Sequence, residues 1–342
     1  MKSLFSSGHL LIALLSAFAL PACAQQGSLN VICGVQTEWC NLVQSVFSKE
    51  TGISVHMANR SAGEAFALLT AESAHPTIDV WFGGTGDSHL QAAENDLTLA
   101  YQSPNIHLLR EWAANQAKRA NFKTVGIYAG PLGFAVNTEL LASKKLPEPM
   151  CWTDLVKPQY KGEIQMANPN SSGTAFMAIA TLVQLSGEEK AFQYLKGLHK
   201  NISQYPRTGT VPLKNTSNGE NTISISFMHD VPGEVMAGFP VKGVSPCEGT
   251  GYEIGSMSIV KGARNLTNAK KFYDWALTRA AQELAAQAKQ FQLPANIDAQ
   301  VDRRVPDITK IRLIKYDFEK YGSASERKRL LDKWDREVFS QP

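Results

Sequence analysis

The four residues Ser171-Ser172-Gly173-Thr174 stand where an expected strand, residues 164–166, gives way to an apolar helix, residues 175–185. The glycine lets the backbone approach a ligand, and the hydroxyls donate hydrogen bonds. The helix that follows presents unpaired N–H groups at the positive end of its dipole. Together these features suit a phosphate or a carboxylate. Gly83-Gly84-Thr85-Gly86 has the same design after another expected strand, and Ser61-Ala62-Gly63 is a weaker third case. Each alone also reads as an N-cap with a tight turn. Three in one chain point to an anion site, because ligands of α/β folds gather at the carboxyl ends of strands. None is a Walker A loop or a complete GxGxxG, which argues against a nucleotide.

A second constellation is His229-Asp230 at the end of the expected strand 223–228, with Glu253 further on. A carboxylate accepts two hydroxyl hydrogen bonds, and a neutral imidazole donates or accepts, so the trio suits the hydroxyls of a sugar. Such a site discriminates among hydroxyl patterns, because an absent partner leaves a buried polar group unpaired. The same pair also reads as part of a metal phosphohydrolase, or as a solvated turn. The other histidines show no metal-ligand spacing. In Arg207-Thr208-Gly209 the guanidinium either holds a phosphate bidentately or lies on a surface loop. With no GxSxG elbow and no SxxK, nothing marks an activated nucleophile. The residues point to holding a ligand rather than changing it, without a cofactor or a metal.

The elements that must position these groups alternate. Residues 29–32 read as a strand and 38–50 as a helix, with Leu42, Val43, Val46 and Phe47 on its apolar face and Gly52 as its C-cap. A strand at 53–57, a helix opened by the capping-box spacing Ser61 to Glu64, and a strand at 78–82 follow. This β-α-β-α-β order predicts an α/β fold with a largely parallel sheet. A second sheet region starts near Val125. Helices are expected at 188–198 and 268–291, a strand at 257–260, and a charge-rich helical segment at 307–339. Its Arg327-Lys328-Arg329 run lies among acidic residues and reads as a solvated face rather than a nucleic-acid patch.

A chain of 342 residues suggests two domains, and a net charge of +3 is too weak to argue for nucleic acid as a partner. Lys2, the apolar run 10–20 and Ala22-Cys23-Ala24 read as a signal peptide over residues 1–24, so the protein is expected outside the cytoplasm. Residues 20–23 also resemble a lipobox, in which Cys23 would carry lipid. Four cysteines remain, which suggests two disulfides in an oxidising compartment. Of the three connectivities, Cys33–Cys40 with Cys151–Cys247 is the one expected; buried free thiols are the alternative.

The chain resembles the periplasmic solute-binding proteins of ABC importers, in the group that includes ferric-ion-binding proteins. The resemblance runs from about residue 28 to 300. It is carried by residues 47–53, Asp79-Val80-Trp81-Phe82-Gly83-Gly84, Asn168-Pro169 with Ser171-Ser172-Gly173-Thr174, Asn218-Gly219-Glu220 and Phe272-Tyr273-Asp274-Trp275-Ala276. It implies a type II two-lobe fold, with mixed sheets flanked by helices and a ligand cleft between the lobes. One lobe would take 28–123 plus 250–296, the other 124–249 plus 297–342. Ferric-binding members present adjacent tyrosines where this chain has His229-Asp230, and no Tyr-Tyr occurs in it. The likeness is therefore to the hexose-phosphate-binding branch. It implies phosphate contacts at Ser171, Ser172, Gly173 and Thr174, with Thr37, Gly84, Thr85 and Arg207 joining from cleft-facing loops. His229, Asp230 and Glu253 would contact the sugar. A monomer delivering a hexose phosphate such as glucose 6-phosphate to an inner-membrane ABC permease follows from this. The alternatives are an organophosphonate or another small anion, ferric ion with a synergistic anion, a secreted phosphohydrolase, and a ligand-presenting sensor.

Overall fold

Short alternating elements open the chain with a parallel unit. β1 (Ser28–Cys33) pairs in parallel with both β2 (Ser54–Asn59) and β3 (Val80–Thr85). Between the first two, the helix Thr37–Thr51 buries Trp39, Cys40, Val43 and Phe47 and stops at Gly52. The Gly52 φ of 72° is the left-handed cap that glycine adopts without a Cβ penalty. The helix Ala62–Ala71 begins with the expected capping box, in which the Glu64 carboxylate accepts from the Ser61 backbone N–H at 3.1 Å. The structure, a computed structural model, describes residues 27–340; the signal peptide and the Cys23 alternative lie outside the described residues.

The remaining strands are β4 (Thr98–Leu99), β5 (Val125–Asn137), β6 (Ile164–Gln165), β7 (Ile202–Gln204), β8 (Ile223–Phe227), β9 (Val241–Val244), β10 (Tyr252–Val260) and β11 (Leu293–Pro294). They join in the order β2-β1-β3-β10-β5-β8-β6-β7, with β4 on β10 and with β9 and β11 on β5. The expected largely parallel sheet is corrected here. β10 runs antiparallel to both its neighbours, β3 and β5, so the sheet is mixed.

The long strand β5 is buried along all 13 residues. Residues 125–131 pair with β10, and residues 132–137 pair with β8 and β9. One strand thus serves two sheets, each with its own core. Leu29, Phe47, Val80, Val125, Met257 and Phe272 belong to the first core. Leu132, Phe134, Trp152, Phe176, Ile223 and Trp334 belong to the second. The result is a two-lobe α/β fold with mixed sheets, flanking helices and a cleft between the lobes.

Two further expectations change. The helix expected at 268–291 is two helices, Leu266–Ala276 and Arg279–Gln287, because the Thr278 hydroxyl accepts from the Ala281 N–H at 3.4 Å and caps a new start. Residues 307–339 are a short turn at Ile308–Lys310, a helix at Phe318–Tyr321, a helix at Ala324–Trp334 and a wider turn at Asp335–Phe339. Nor is the last long helix solvated all round. Arg327 is only 6% exposed; it pairs with Asp87 and lies 4.4 Å from the Phe176 ring.

Cys33–Cys40 and Cys151–Cys247 are both disulfide-bonded. The second closes a span of 96 residues, so chain entropy gives it the larger contribution, about 4.7 kcal/mol against roughly 2.4 for the first, which spans 7. Replacing Cys151 and Cys247 together by serine is expected to lower Tm by on the order of 10 °C. The corresponding change at Cys33 and Cys40 should cost clearly less. Equal losses in a calorimetric scan would refute the loop-length argument.

Candidate functional site

Four helix N-termini meet at one cleft of about 380 Å³. They belong to the helices Thr37–Thr51, Ala62–Ala71, Gly86–Glu94 and Gly173–Ser186, which contribute Thr37, Ala62, Thr85 and Gly173 to the wall. Each follows a strand or a short turn, so the local sequence places its unpaired N–H groups at strand ends. Gly83 and Gly84 are the penultimate residues of β3 rather than a separate turn, with φ of 77° and 92° that suit glycine alone. The Gly84 N–H donates to the Tyr128 hydroxyl at 3.2 Å. Thr85 ends the strand and caps the next helix; its hydroxyl is buried with no hydrogen-bond partner. Across the cleft, the Ser172 hydroxyl accepts from the Ala175 N–H at 3.4 Å and caps the helix Gly173–Ser186. Gly173 packs so closely on the Thr85 hydroxyl that no Cβ fits between them.

His229, Asp230 and Glu253 line the same cleft. His229 Nε2 is 3.4 Å from Asp230 Oδ1 and 3.6 Å from Glu253 Oε1. The ring fits because Gly130 on β5 has no side chain, and it stacks on Phe227 with centroids 5.2 Å apart. Burial drives the His229 pKa down to about 3, which keeps the imidazole neutral. Burial, with Asp230 and Asp87 nearby, pushes Glu253 well above the usual carboxylate range. Asp230 is pushed up to about 7 by burial and by the Glu234 charge, against the Gln36 hydrogen bond and Lys214. The trio therefore offers a neutral imidazole and two buried carboxyl groups whose protonated forms burial favours. Hydroxyl groups, which both donate and accept, match that set.

The raised Asp230 pKa has a consequence for stability. A carboxyl whose pKa moves from 3.8 up to about 7 on folding stabilises the fold fully below pH 3.8, and this contribution is lost as pH rises through 7. Ligand-free Asp230→Asn should therefore melt above the parent at pH 8, with the gap shrinking towards pH 4. A gap of constant size across that range would show that the carboxyl is not strained by its burial.

Most of the expected residues come together: Thr37, Gly84, Thr85, Ser172, Gly173, Thr174, His229, Asp230 and Glu253 all line the cleft. Two do not. Ser171 is not among the lining residues, and its hydroxyl donates to the Arg207 carbonyl at 2.6 Å. Arg207 is not among the lining residues; its side chain is 80% exposed and its guanidinium pairs with Glu64. Residues not singled out from the sequence also line the cleft, among them Gln36, Tyr128, Thr210 and Lys214. Gln36 directly precedes a helix, and Thr210 is one residue beyond the Arg207-Thr208-Gly209 segment, so position was their available signal. Tyr128 and Lys214 carry none.

Several contacts span the cleft. The Gly63 N–H donates to the Ser171 carbonyl at 3.0 Å, Gln36 Nε2 donates to Asp230, Glu64 pairs with Arg207, and Lys214 Nζ lies 3.8 Å from Glu38. The lobes are thus closed on each other.

Two lobes sharing a crossing strand, with a polar cleft fed by helix N-termini, define a solute-binding protein. Residues 75–320 match the model of the bacterial extracellular solute-binding protein family, and the chain belongs to that family. It is 45% identical over 315 residues to an uncharacterized protein of Haemophilus influenzae, covering 92% of this chain and 91% of the relative. The periplasmic binding protein AfuA of Actinobacillus pleuropneumoniae, solved with exogenous fructose 6-phosphate bound, is 45% identical with a TM-score of 0.90, over 92% of this chain and all of AfuA. The periplasmic binding protein P5PA is 40% identical with a TM-score of 0.89, over 92% of this chain and all of P5PA. The protein is accordingly a periplasmic-type solute-binding protein of the AfuA and ferric-binding group, whose members bind a ligand and work with ABC permeases rather than catalyse a reaction.

Proposed function

We propose that this protein captures a hexose phosphate such as glucose 6-phosphate in the periplasm and delivers it, as a monomer, to an ABC permease. The observation that carries this reading is the polarity of the cleft. The N-termini of the helices Ala62–Ala71, Gly86–Glu94 and Gly173–Ser186 gather around the unpartnered Thr85 hydroxyl, while the N-terminus of Thr37–Thr51 reaches the His229–Asp230–Glu253 trio through Gln36. A phosphate carries about −1.5 to −2 charge and suits N–H groups at positive dipole ends. In this reading Ser172, Gly173, Thr174, Thr37, Gly84 and Thr85 hold the phosphate, and His229, Asp230 and Glu253 read the ring. The 45% identical AfuA, solved with fructose 6-phosphate, supports the same class of ligand. The lobes would divide as 28–123 plus 250–296 and 124–249 plus 297–342. Secretion through a signal peptide over residues 1–24 belongs to the same proposal.

Isothermal titration of unfolded and refolded protein, stripped of carried ligand, tests it. Glucose 6-phosphate should bind one to one and much more tightly than glucose or inorganic phosphate. Absence of heat with all three ligands would overturn the hexose-phosphate reading.

A further inference from the structure

Beyond the Asp230 end of the cleft lies a second cavity of about 410 Å³. Gln36 and Asp230, joined by the Gln36 amide hydrogen bond, line both spaces. Glu38, Thr210 and Lys214 line both as well, so these five residues form the wall the two spaces share. The outer chamber is walled by Glu234, Lys214, Phe239 and Lys289. Three acidic side chains, Glu38, Asp230 and Glu234, stand against the two amines there, so the chamber does not favour a second phosphate. It offers instead a partly buried aromatic ring and a mixed set of donors and acceptors. Those features suit a neutral polyol, whose ring has an apolar face and an edge of hydroxyls.

We propose that this chamber is an annex for a substituent on the sugar, so that the protein also accepts a hexose 6-phosphate glycosylated at carbon 1. The inference rests on the proposed hexose-phosphate reading. With the phosphate held where Gly173 meets Thr85, carbon 1 of the ring turns towards Asp230 and its substituent passes the shared wall beside Gln36. The side chain that yields is Gln36, whose Oε1 has no hydrogen-bond partner in its present position.

Titrations with trehalose 6-phosphate and cellobiose 6′-phosphate, run beside glucose 6-phosphate, decide the matter, since they carry the second ring in α and β linkage. At least one is expected to bind within about thirtyfold of glucose 6-phosphate, a difference of about 2 kcal/mol. If both are weaker than that while glucose 6-phosphate binds, the annex is overturned and the hexose-phosphate reading stands. If glucose 6-phosphate also fails to bind, both fall together. Ala237→Trp places a bulky ring at an exposed position of the annex wall. It should weaken the phosphorylated disaccharide at least roughly tenfold and leave glucose 6-phosphate within about twofold. An equal effect on both ligands, or none on either, would place the second ring elsewhere.

Discussion

Asp230→Ala is expected to weaken glucose 6-phosphate binding by two to three orders of magnitude, and to leave inorganic phosphate within about threefold of the parent protein. A hydrogen bond to a charged group is worth about 1.5–3 kcal/mol, and a carboxylate accepts from two hydroxyls. Two such bonds at the lower end of that range come to about 3–4 kcal/mol, which matches two to three orders of magnitude. The substitution also strips His229 Nε2 of its partner at 3.4 Å and Gln36 of its acceptor, so the ring-reading end loses order as well as a contact. No hydrogen bond or ion pair joins Asp230 to Thr85, Ser172, Gly173 or Thr174 among the described residues. Calorimetric titration with both ligands separates the two ends of the cleft. Equal losses for both would mean that Asp230 supports closure and does not read the sugar.

The second large effect falls on the opposite end and has the opposite signature. Gly173→Ala is expected to weaken glucose 6-phosphate and inorganic phosphate alike, each by about a hundredfold or more. The added Cβ would fall inside the van der Waals radius of the Thr85 hydroxyl. Thr85 ends β3 in one lobe and Gly173 opens a helix in the other, so a single methyl group acts as a wedge in the closed cleft. Both residues flank the proposed anion seat, which cannot then assemble. The helix itself loses nothing, because alanine is the better helix former. Small-angle scattering should show the Gly173→Ala protein failing to compact on ligand addition, and Thr85→Gly in the same chain should restore compaction. Unchanged affinity would show that the lobes meet differently when loaded.

Much of the site was legible because its signals are local. The Ser61 capping box, the Gly52 cap and the glycine-hydroxyl turn at 171–174 each depend on a few neighbouring residues, and each appears in the structure at its expected helix end, whereas Gly83 and Gly84 fall inside β3, which runs on to Thr85. What escaped the sequence reading is long-range. Arg327 looked solvated among acidic neighbours, yet its partner Asp87 is 240 positions away. Arg207 had the composition of a phosphate ligand, but Glu64, 143 positions away, holds its guanidinium. The antiparallel direction of β10 is likewise set by the sheet it enters and not by its own residues. The break at Thr278 involves neither proline nor glycine; a hydroxyl cap in an otherwise helical pattern is a weak signal.

The position of β10 also governs when the molecule can be finished. A chain made from its N-terminus completes β3 by Thr85 and β5 by Asn137, but the strand that joins them ends at Val260. Until then β3 has β1 on one edge and a bare row of peptide groups on the other, an invitation to pair with a neighbouring chain. The Arg327–Asp87 contact comes later still. Biogenesis is therefore a race between the arrival of the last third of the polypeptide and self-association of the first, with non-local pairing setting a slow pace. Refolding from denaturant faces the same order of events, and dilute conditions or a chaperone that shields strand edges should raise the yield.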